Sequence, residues 1–163
     1  PQVIAGPGSS STAPAAHLAK QAVQAGVDAV MVVVPYYNKP TQEGLVRHFV
    51  SVAKSVACPV VVYNIPGRSG VDLGVDAMAR ILDEAPNVVA TKEATGNVMR
   101  AQQLAARFGD RLTILSGDDA LTLPMISVGA RGVISSGLSS SCSTVTSSPA
   151  SLTTALKPNF FAT

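Results

Sequence analysis

A chain of 163 residues that is 47% hydrophobic and 13% charged has the size of one domain and ample apolar material for a core, which excludes a disordered polyelectrolyte. A formal net charge of +2 gives no electrostatic ground for binding nucleic acid. Cys58 and Cys142 stand in no CxxC or Cys/His ligand spacing, which speaks against structural zinc and a disulfide scaffold.

No apolar run reaches the ~20 residues of a membrane span, and no basic segment followed by an apolar one opens the chain. The expectation is a cytoplasmic protein with no membrane contact. The chain opens at Pro1 without methionine and enters a strand almost at once, which reads as an N-terminally truncated fragment.

Gln2-Val3-Ile4-Ala5-Gly6 is a short β run ending at Gly6-Pro7-Gly8, with a polar loop at Ser9 to Ser11. A helix follows with Thr12 as N-cap, Pro14 in the first turn and Ala16, Leu18, Ala19, Ala22 and Val23 on its apolar side, ending at Gly26. Ala29 to Val34 is an unbroken β-branched run that stops at Pro35-Tyr36-Tyr37-Asn38-Lys39-Pro40. From Thr41, Leu45, Val46, Phe49, Val52, Ala53 and Val56 recur at three-to-four spacing, one core-facing stripe of a helix.

Val60 to Ile65 is the third strand, with Pro66-Gly67-Arg68-Ser69-Gly70 as its exit loop and a helix near Val75 to Ala85. Val88-Val89-Ala90 leads into Thr91-Lys92-Glu93, and a helix from Asn97 to Phe108 ends at Gly109. Leu112 to Leu115 is the fifth strand; Asp119 is the expected cap of a helix from Ala120 to Val128; Gly132 to Ser135 is the sixth strand.

Continuous apolar strands alternating with amphipathic helices predict an α/β fold with a parallel sheet covered by helices. A doubly wound sheet would suit six strands, but no GxGxxG turn follows any of them. The alternative is an incomplete (β/α)8 TIM barrel, since the full barrel needs eight strands and ~250 residues. Barrel enzymes carry their chemistry at the carboxyl ends of the strands, and there the unusual residues collect.

Lys92 is delivered to such a strand end. A buried ammonium is costly unless paired, and desolvation favours the neutral amine, the form that attacks a ketone to give a Schiff base. The structural alternative is a snorkelling lysine paired with Glu93. The chain's three tyrosines also lie at strand ends, Tyr36 and Tyr37 after the second and Tyr63 after the third. A Schiff-base lysine needs a proton relay to expel water, which a phenol such as Tyr63 can supply. Arg68 offers the guanidinium fork that holds a carboxylate through two parallel hydrogen bonds. Taken singly, each residue is as well explained by packing or solvation; their convergence on one rim favours function.

The stretches Pro35-Tyr36-Tyr37-Asn38-Lys39-Pro40-Thr41-Gln42-Glu43-Gly44, Tyr63-Asn64-Ile65-Pro66-Gly67-Arg68-Ser69-Gly70, Lys92-Glu93-Ala94-Thr95-Gly96-Asn97 and Ser116-Gly117-Asp118-Asp119 resemble the signature stretches of the dihydrodipicolinate synthase (4-hydroxy-tetrahydrodipicolinate synthase) family. The resemblance runs from about Val3 to Ser135 and implies an incomplete TIM barrel holding strands three to eight. It implies a lyase in which Lys92 forms a Schiff base with pyruvate, whose enamine attacks L-aspartate 4-semialdehyde in lysine and diaminopimelate biosynthesis, with no metal or dissociable cofactor.

By the same resemblance, Tyr63 relays protons and Arg68 binds the semialdehyde carboxylate. Gly117 and Ile134 line the pyruvate pocket. Tyr37 matches the tyrosine placed in a neighbouring subunit's site, which implies a homo-oligomer, usually a tetramer built as a dimer of dimers. At the lysine feedback site the family often has asparagine and glutamate where this chain has Ser10 and Pro14. Only Tyr36 matches as an allosteric residue, so feedback inhibition is not carried over. The family's Gly-Thr-Thr-Gly-Glu motif is absent, and the chain by itself is expected to be inactive. The rivals are another class I keto-acid aldolase of the superfamily, which usually lacks an arginine at position 68, and a non-catalytic fragment that only binds other subunits.

Residues 1–135 are therefore read as a partial barrel domain. Residues 136–163 are read as a non-homologous tail, crowded with serine and threonine and with Lys157 as its one charge, either disordered or the product of a frame slip near Ser135.

Overall fold

The computed structural model describes residues 2–135, so the expectations for the 136–163 tail lie outside the described residues. The described residues divide into two compact units, 2–89 and 90–135.

The first unit carries β1 (Ile4–Ala5), α1 (Thr12–Gln24), β2 (Ala29–Val33), α2 (Gln42–Lys54), β3 (Val60–Asn64), α3 (Pro66–Ser69) and α4 (Val75–Glu84). The strands pair in parallel and in chain order, Ile4 opposite Ala29 and Val33 opposite Tyr63. Parallel neighbours need crossovers, which α1 and α2 supply. Val30, Val32, Val34, Val60 and Val62 are buried. Met31, Val33 and Tyr63 alternate with them and are only half-buried. The continuous apolar runs predict burial on both faces; the structure leaves one face partly open because a pocket lies over it.

Helix α2 turns its predicted stripe inward, with Leu45, Phe49, Val52 and Ala53 fully buried. Thr41 caps it by accepting the Gly44 N–H at 3.2 Å. Its far end and the turn after it are tied by Asn87, whose Nδ2 donates to the carbonyls of Ala53, Val56 and Cys58 at 2.9, 3.2 and 3.2 Å. Helix α1 differs from expectation in two respects. Ser11, not Thr12, is its N-cap, because the Thr12 hydroxyl is engaged with His48 Nδ1 at 2.9 Å. Its buried residues are Ala15 and Ala19, while Leu18 is exposed.

His48 is a buried ring on α2, edge-on to Phe49 with centroids 5.2 Å apart. Burial pushes its pKa down from 6.5 to about 4, so the folded chain holds it neutral while the unfolded chain protonates it near its ordinary value. The unfolded state therefore binds more protons between these values, and stability is fully present above pH 6.5 and lost as pH falls toward 4. The full loss amounts to about 3 kcal/mol at about 1.36 kcal/mol per unit. Urea midpoints at pH 7.5 and 5 are expected to differ more for the wild type than for His48→Leu; equal differences would contradict this.

The expected exit loop after β3 is the single helical turn α3. Pro66 occupies its first position and Gly70, at φ 71°, closes it in the left-handed region. At the surface Glu43 joins α2 to α4 through Arg80 (2.6 Å) and pairs within α2 with Arg47 (2.8 Å); Arg80 and then Arg47 hold its carboxyl below the usual range.

The boundary between units falls within β4 (Val88–Glu93). The second unit continues with α5 (Val98–Phe108), β5 (Thr113–Ser116), α6 (Thr122–Ser127) and β6 (Gly132–Val133), again parallel and in chain order, with Lys92 opposite Leu115 and Ser116 opposite Val133. Every residue of β5 is buried. Asn97, expected as the first residue of α5, is its N-cap, accepting the Met99 N–H at 3.0 Å. The cap expected of Asp119 is made instead by Asp118, which accepts the Ala120 N–H at 3.1 Å at the head of a 3-10 turn. Asp119 takes the Ser135 hydroxyl at 2.8 Å.

Candidate active site

In the first unit a cavity of about 420 Å³ opens at the carboxyl ends of β1–β3, lined by Gly8, Val33, Tyr36, Tyr63, Arg68 and Ser69 among others. Tyr63 stands on the pocket-facing side of β3, with Val33 opposite it. Burial pushes its phenol pKa up, and the Arg68 guanidinium partly offsets this by favouring the phenolate. The net direction keeps the hydroxyl protonated at neutral pH, where it can both donate and accept.

Arg68 reaches the same pocket from α3. Its N–H and that of Ser69 both donate to the Ile65 carbonyl, at 3.1 and 2.9 Å, and the Ser69 hydroxyl returns to that carbonyl at 2.9 Å. A basic fork and a phenol in one cavity can hold and protonate a small oxyanion or carbonyl compound.

Tyr36 lines the pocket and is 45% exposed, whereas Tyr37, outside it, is 90% exposed. Tyr37 has φ 71°, and the Asn38 N–H donates to the Tyr36 carbonyl at 2.9 Å across it, a three-residue turn of the rarer, strained hand. The Asn38 side chain fixes this turn to the Ser10 carbonyl at 2.7 Å.

In the second unit Lys92 is buried, 4% exposed, on β4, so its ammonium does not reach solvent as a snorkelling side chain would. Gly117 lies against its stem: a methyl built there would fall 3.1 Å from Lys92 Cε and 2.7 Å from Ala94 Cβ. The Gly117 N–H donates to the Glu93 carbonyl at 2.8 Å, and the Ile134 N–H donates to the Ser116 carbonyl at 2.9 Å. Lys92, Gly117 and Ile134 are thus gathered at the ends of β4, β5 and β6. Among the described residues no group of three His, Cys, Asp or Glu is placed to hold a metal ion, and no helix is long and apolar enough to cross a membrane.

Two residues that sequence reasoning leaves out act around the first pocket. The side chains of Gln42 and Asn64 both bond to the segment after α3. The signal available was only that both are amides inside the motif stretches.

Compared with known proteins, residues 2–147 match the Dihydrodipicolinate synthetase family. The 4-hydroxy-tetrahydrodipicolinate synthase of Sorangium cellulosum is 57% identical over 133 residues, 82% of this chain and 44% of that protein. Among solved structures, the 4-hydroxy-tetrahydrodipicolinate synthase of Methylacidiphilum fumariolicum superposes with a TM-score of 0.80 at 53% identity, covering 82% of this chain and 44% of that one. The chloride-inhibited dihydrodipicolinate synthase of Acinetobacter baumannii, complexed with pyruvate, gives a TM-score of 0.76 at 44% identity, covering 79% and 44%. The fold is accordingly part of a TIM barrel, and the chain spans less than half the length of the relatives it matches.

Proposed function

We propose, for a chain that belongs to the Dihydrodipicolinate synthetase family, that Lys92 is the amine that takes pyruvate as a Schiff base. The observation that carries this reading is a buried lysine at a strand end, its stem lying on a glycine that leaves room for it. The neutral amine adds to the ketone carbon of pyruvate, and the carbinolamine loses water to give a protonated imine. Loss of a proton from the methyl carbon gives the enamine, which forms a carbon–carbon bond with the aldehyde carbon of L-aspartate 4-semialdehyde. The semialdehyde's own amino group then displaces Lys92 and closes the ring, giving 4-hydroxy-tetrahydrodipicolinate.

In this scheme Tyr63 moves the protons, a role suited to a phenol kept protonated by burial. Arg68 binds the carboxylate of the semialdehyde, and Gly117 and Ile134 shape the pyruvate side. Tyr37, exposed on a strained turn, serves a neighbouring copy in a homo-oligomer, and Tyr36 is the remaining residue of a regulatory site. The setting is cytoplasmic lysine biosynthesis, and no cofactor beyond the covalent adduct is required. Turnover is not expected of these 163 residues alone, since the sequence holds no Gly-Thr-Thr-Gly-Glu segment to supply a relay threonine.

The first half-reaction is the one to test. Borohydride reduction in the presence of pyruvate, followed by peptide mass spectrometry, is expected to place the adduct on the Lys92 peptide and on no peptide of Lys92→Ala. Folded protein without an adduct, or with adducts spread over surface lysines, would overturn the assignment.

A further inference from the structure

We propose that Gln42 and Asn64 are positioning residues for Arg68, acting as paired amide clamps on the segment that closes its helical turn. The inference rests on the reading of Arg68 as a substrate-carboxylate ligand. Helix α3, which carries Arg68, is four residues long, too short to hold its own shape. Beyond it, Gly70-Val71-Asp72-Leu73-Gly74 lies outside any strand or helix, so its course depends on side chains from elsewhere.

Two amides from distant elements take that role. Gln42, the first residue of α2, donates from Nε2 to the Asp72 carbonyl at 2.8 Å and accepts the Gly74 N–H on Oε1 at 2.7 Å. Asn64, the last residue of β3 and fully buried, donates from Nδ2 to Asp72 Oδ1 at 2.8 Å and accepts the Leu73 N–H on Oδ1 at 3.2 Å. Each amide uses a donor and an acceptor at once, as a neighbouring strand would, and no carboxylate or hydroxyl of that length can copy it.

The two clamps pin residues 72–74 from both sides, with the buried Leu73 side chain between them. The Ser69 hydroxyl carries the constraint back, bridging the Val71 and Ile65 carbonyls at 2.9 Å each. Arg68 lies inside this span, so its direction into the pocket is inherited from bonds that it does not itself make. Gln42 is exposed, so its contribution lies in the two bonds that hold residues 72–74 rather than in burial.

Tyr63 reports on where Arg68 sits, because the guanidinium lowers the phenol's pKa. Labelling the chain's three tyrosines with 3-fluorotyrosine and following the fluorine resonances with pH gives the titration of each, with Tyr63→Phe as assignment. Arg68→Ala is expected to shift the Tyr63 titration upward. Gln42→Ala is expected to shift it in the same direction and by less, with Gln42→Glu, which keeps the acceptor and loses the donor, between Gln42→Ala and wild type. Gln42→Ala added to Arg68→Ala is expected to change nothing further, the signature of a shared path. Asn64→Asp, should it fold, is expected to behave as Gln42→Ala does.

A Tyr63 titration that Arg68→Ala raises and Gln42→Ala leaves at its wild-type value would overturn the positioning role. Failure of Arg68→Ala to move Tyr63 would remove the pairing on which that role depends. Absence of a pyruvate adduct on Lys92 tells only against the proposed reaction and leaves this result standing.

Discussion

Replacing Gly117 by alanine is expected to slow formation of the trapped pyruvate adduct at Lys92 by about 100-fold while the chain stays folded. The added methyl would stand 2.7 Å from Ala94 Cβ, closer than carbon atoms approach, and 3.1 and 3.2 Å from Lys92 Cε and Cγ. Gly117 cannot simply retreat, because its N–H is held by the Glu93 carbonyl at 2.8 Å. Ala94 has no rotamer to change, so relieving the closest contact requires the backbone of β4 or of the Gly117 loop to shift, and the lysine stem, itself crowded, is displaced with it. Misplacing a reacting group by about 1 Å costs on the order of 100-fold in rate. Overpacking of this kind also destabilises by about 1–3 kcal/mol. Adduct yield against time, measured by mass spectrometry beside a urea titration, separates the two effects. An unchanged rate would show that Lys92 does not depend on the space Gly117 leaves.

Truncating Phe49 to alanine is expected to be the most damaging change in the first unit. Phe49 is fully buried on α2 and meets the His48 ring edge-on. Its loss removes apolar burial and leaves a cavity, together costing about 3–5 kcal/mol. Against a typical net stability of about 5–15 kcal/mol, this is about a fifth of the total or more. With a urea slope of about 1–3 kcal/mol per molar, the midpoint should fall by roughly 2 M. A midpoint within error of the wild type would mean that the apolar stripe of α2 faces no packed interior.

Local patterning was legible in the sequence. Unbroken runs such as Val60-Val61-Val62 sit where parallel strands were expected, and the α2 stripe is buried from Leu45 to Ala53 with His48 and Val50 joining it, while Val56 falls beyond the helix and is only half-buried. Lys92, Tyr63 and Arg68 could be singled out because each is a chemically unusual residue at the end of an apolar run. Where two capping residues stood side by side, the sequence could not choose. Thr12 and Asp119 lost the role because their side chains were taken by His48 and Ser135, partners 36 and 16 positions away.

The turn α3 was missed because four residues carry no periodicity, although Pro66 followed by Gly70 marked both of its ends. The open face of β2 and β3 was missed because a run of apolar residues reads the same whether its second face meets side chains or a pocket. Gln42 was overlooked as an ordinary helix-start residue; its partners, at 72 and 74, are 30 and 32 positions away.

The bonds made by Asn87 bear on how this chain would age. One amide nitrogen serves three carbonyl oxygens in the last turn of α2 and the segment after it, and asparagine is among the thermolabile residues. Spontaneous hydrolysis of that amide would exchange the donor for a carboxylate facing three oxygens. A covalent change of a single atom group would thus turn the clasp into a point of repulsion, and samples stored warm should lose the end of α2 first, with hydrogen exchange at Val52 to Val56 as the earliest sign.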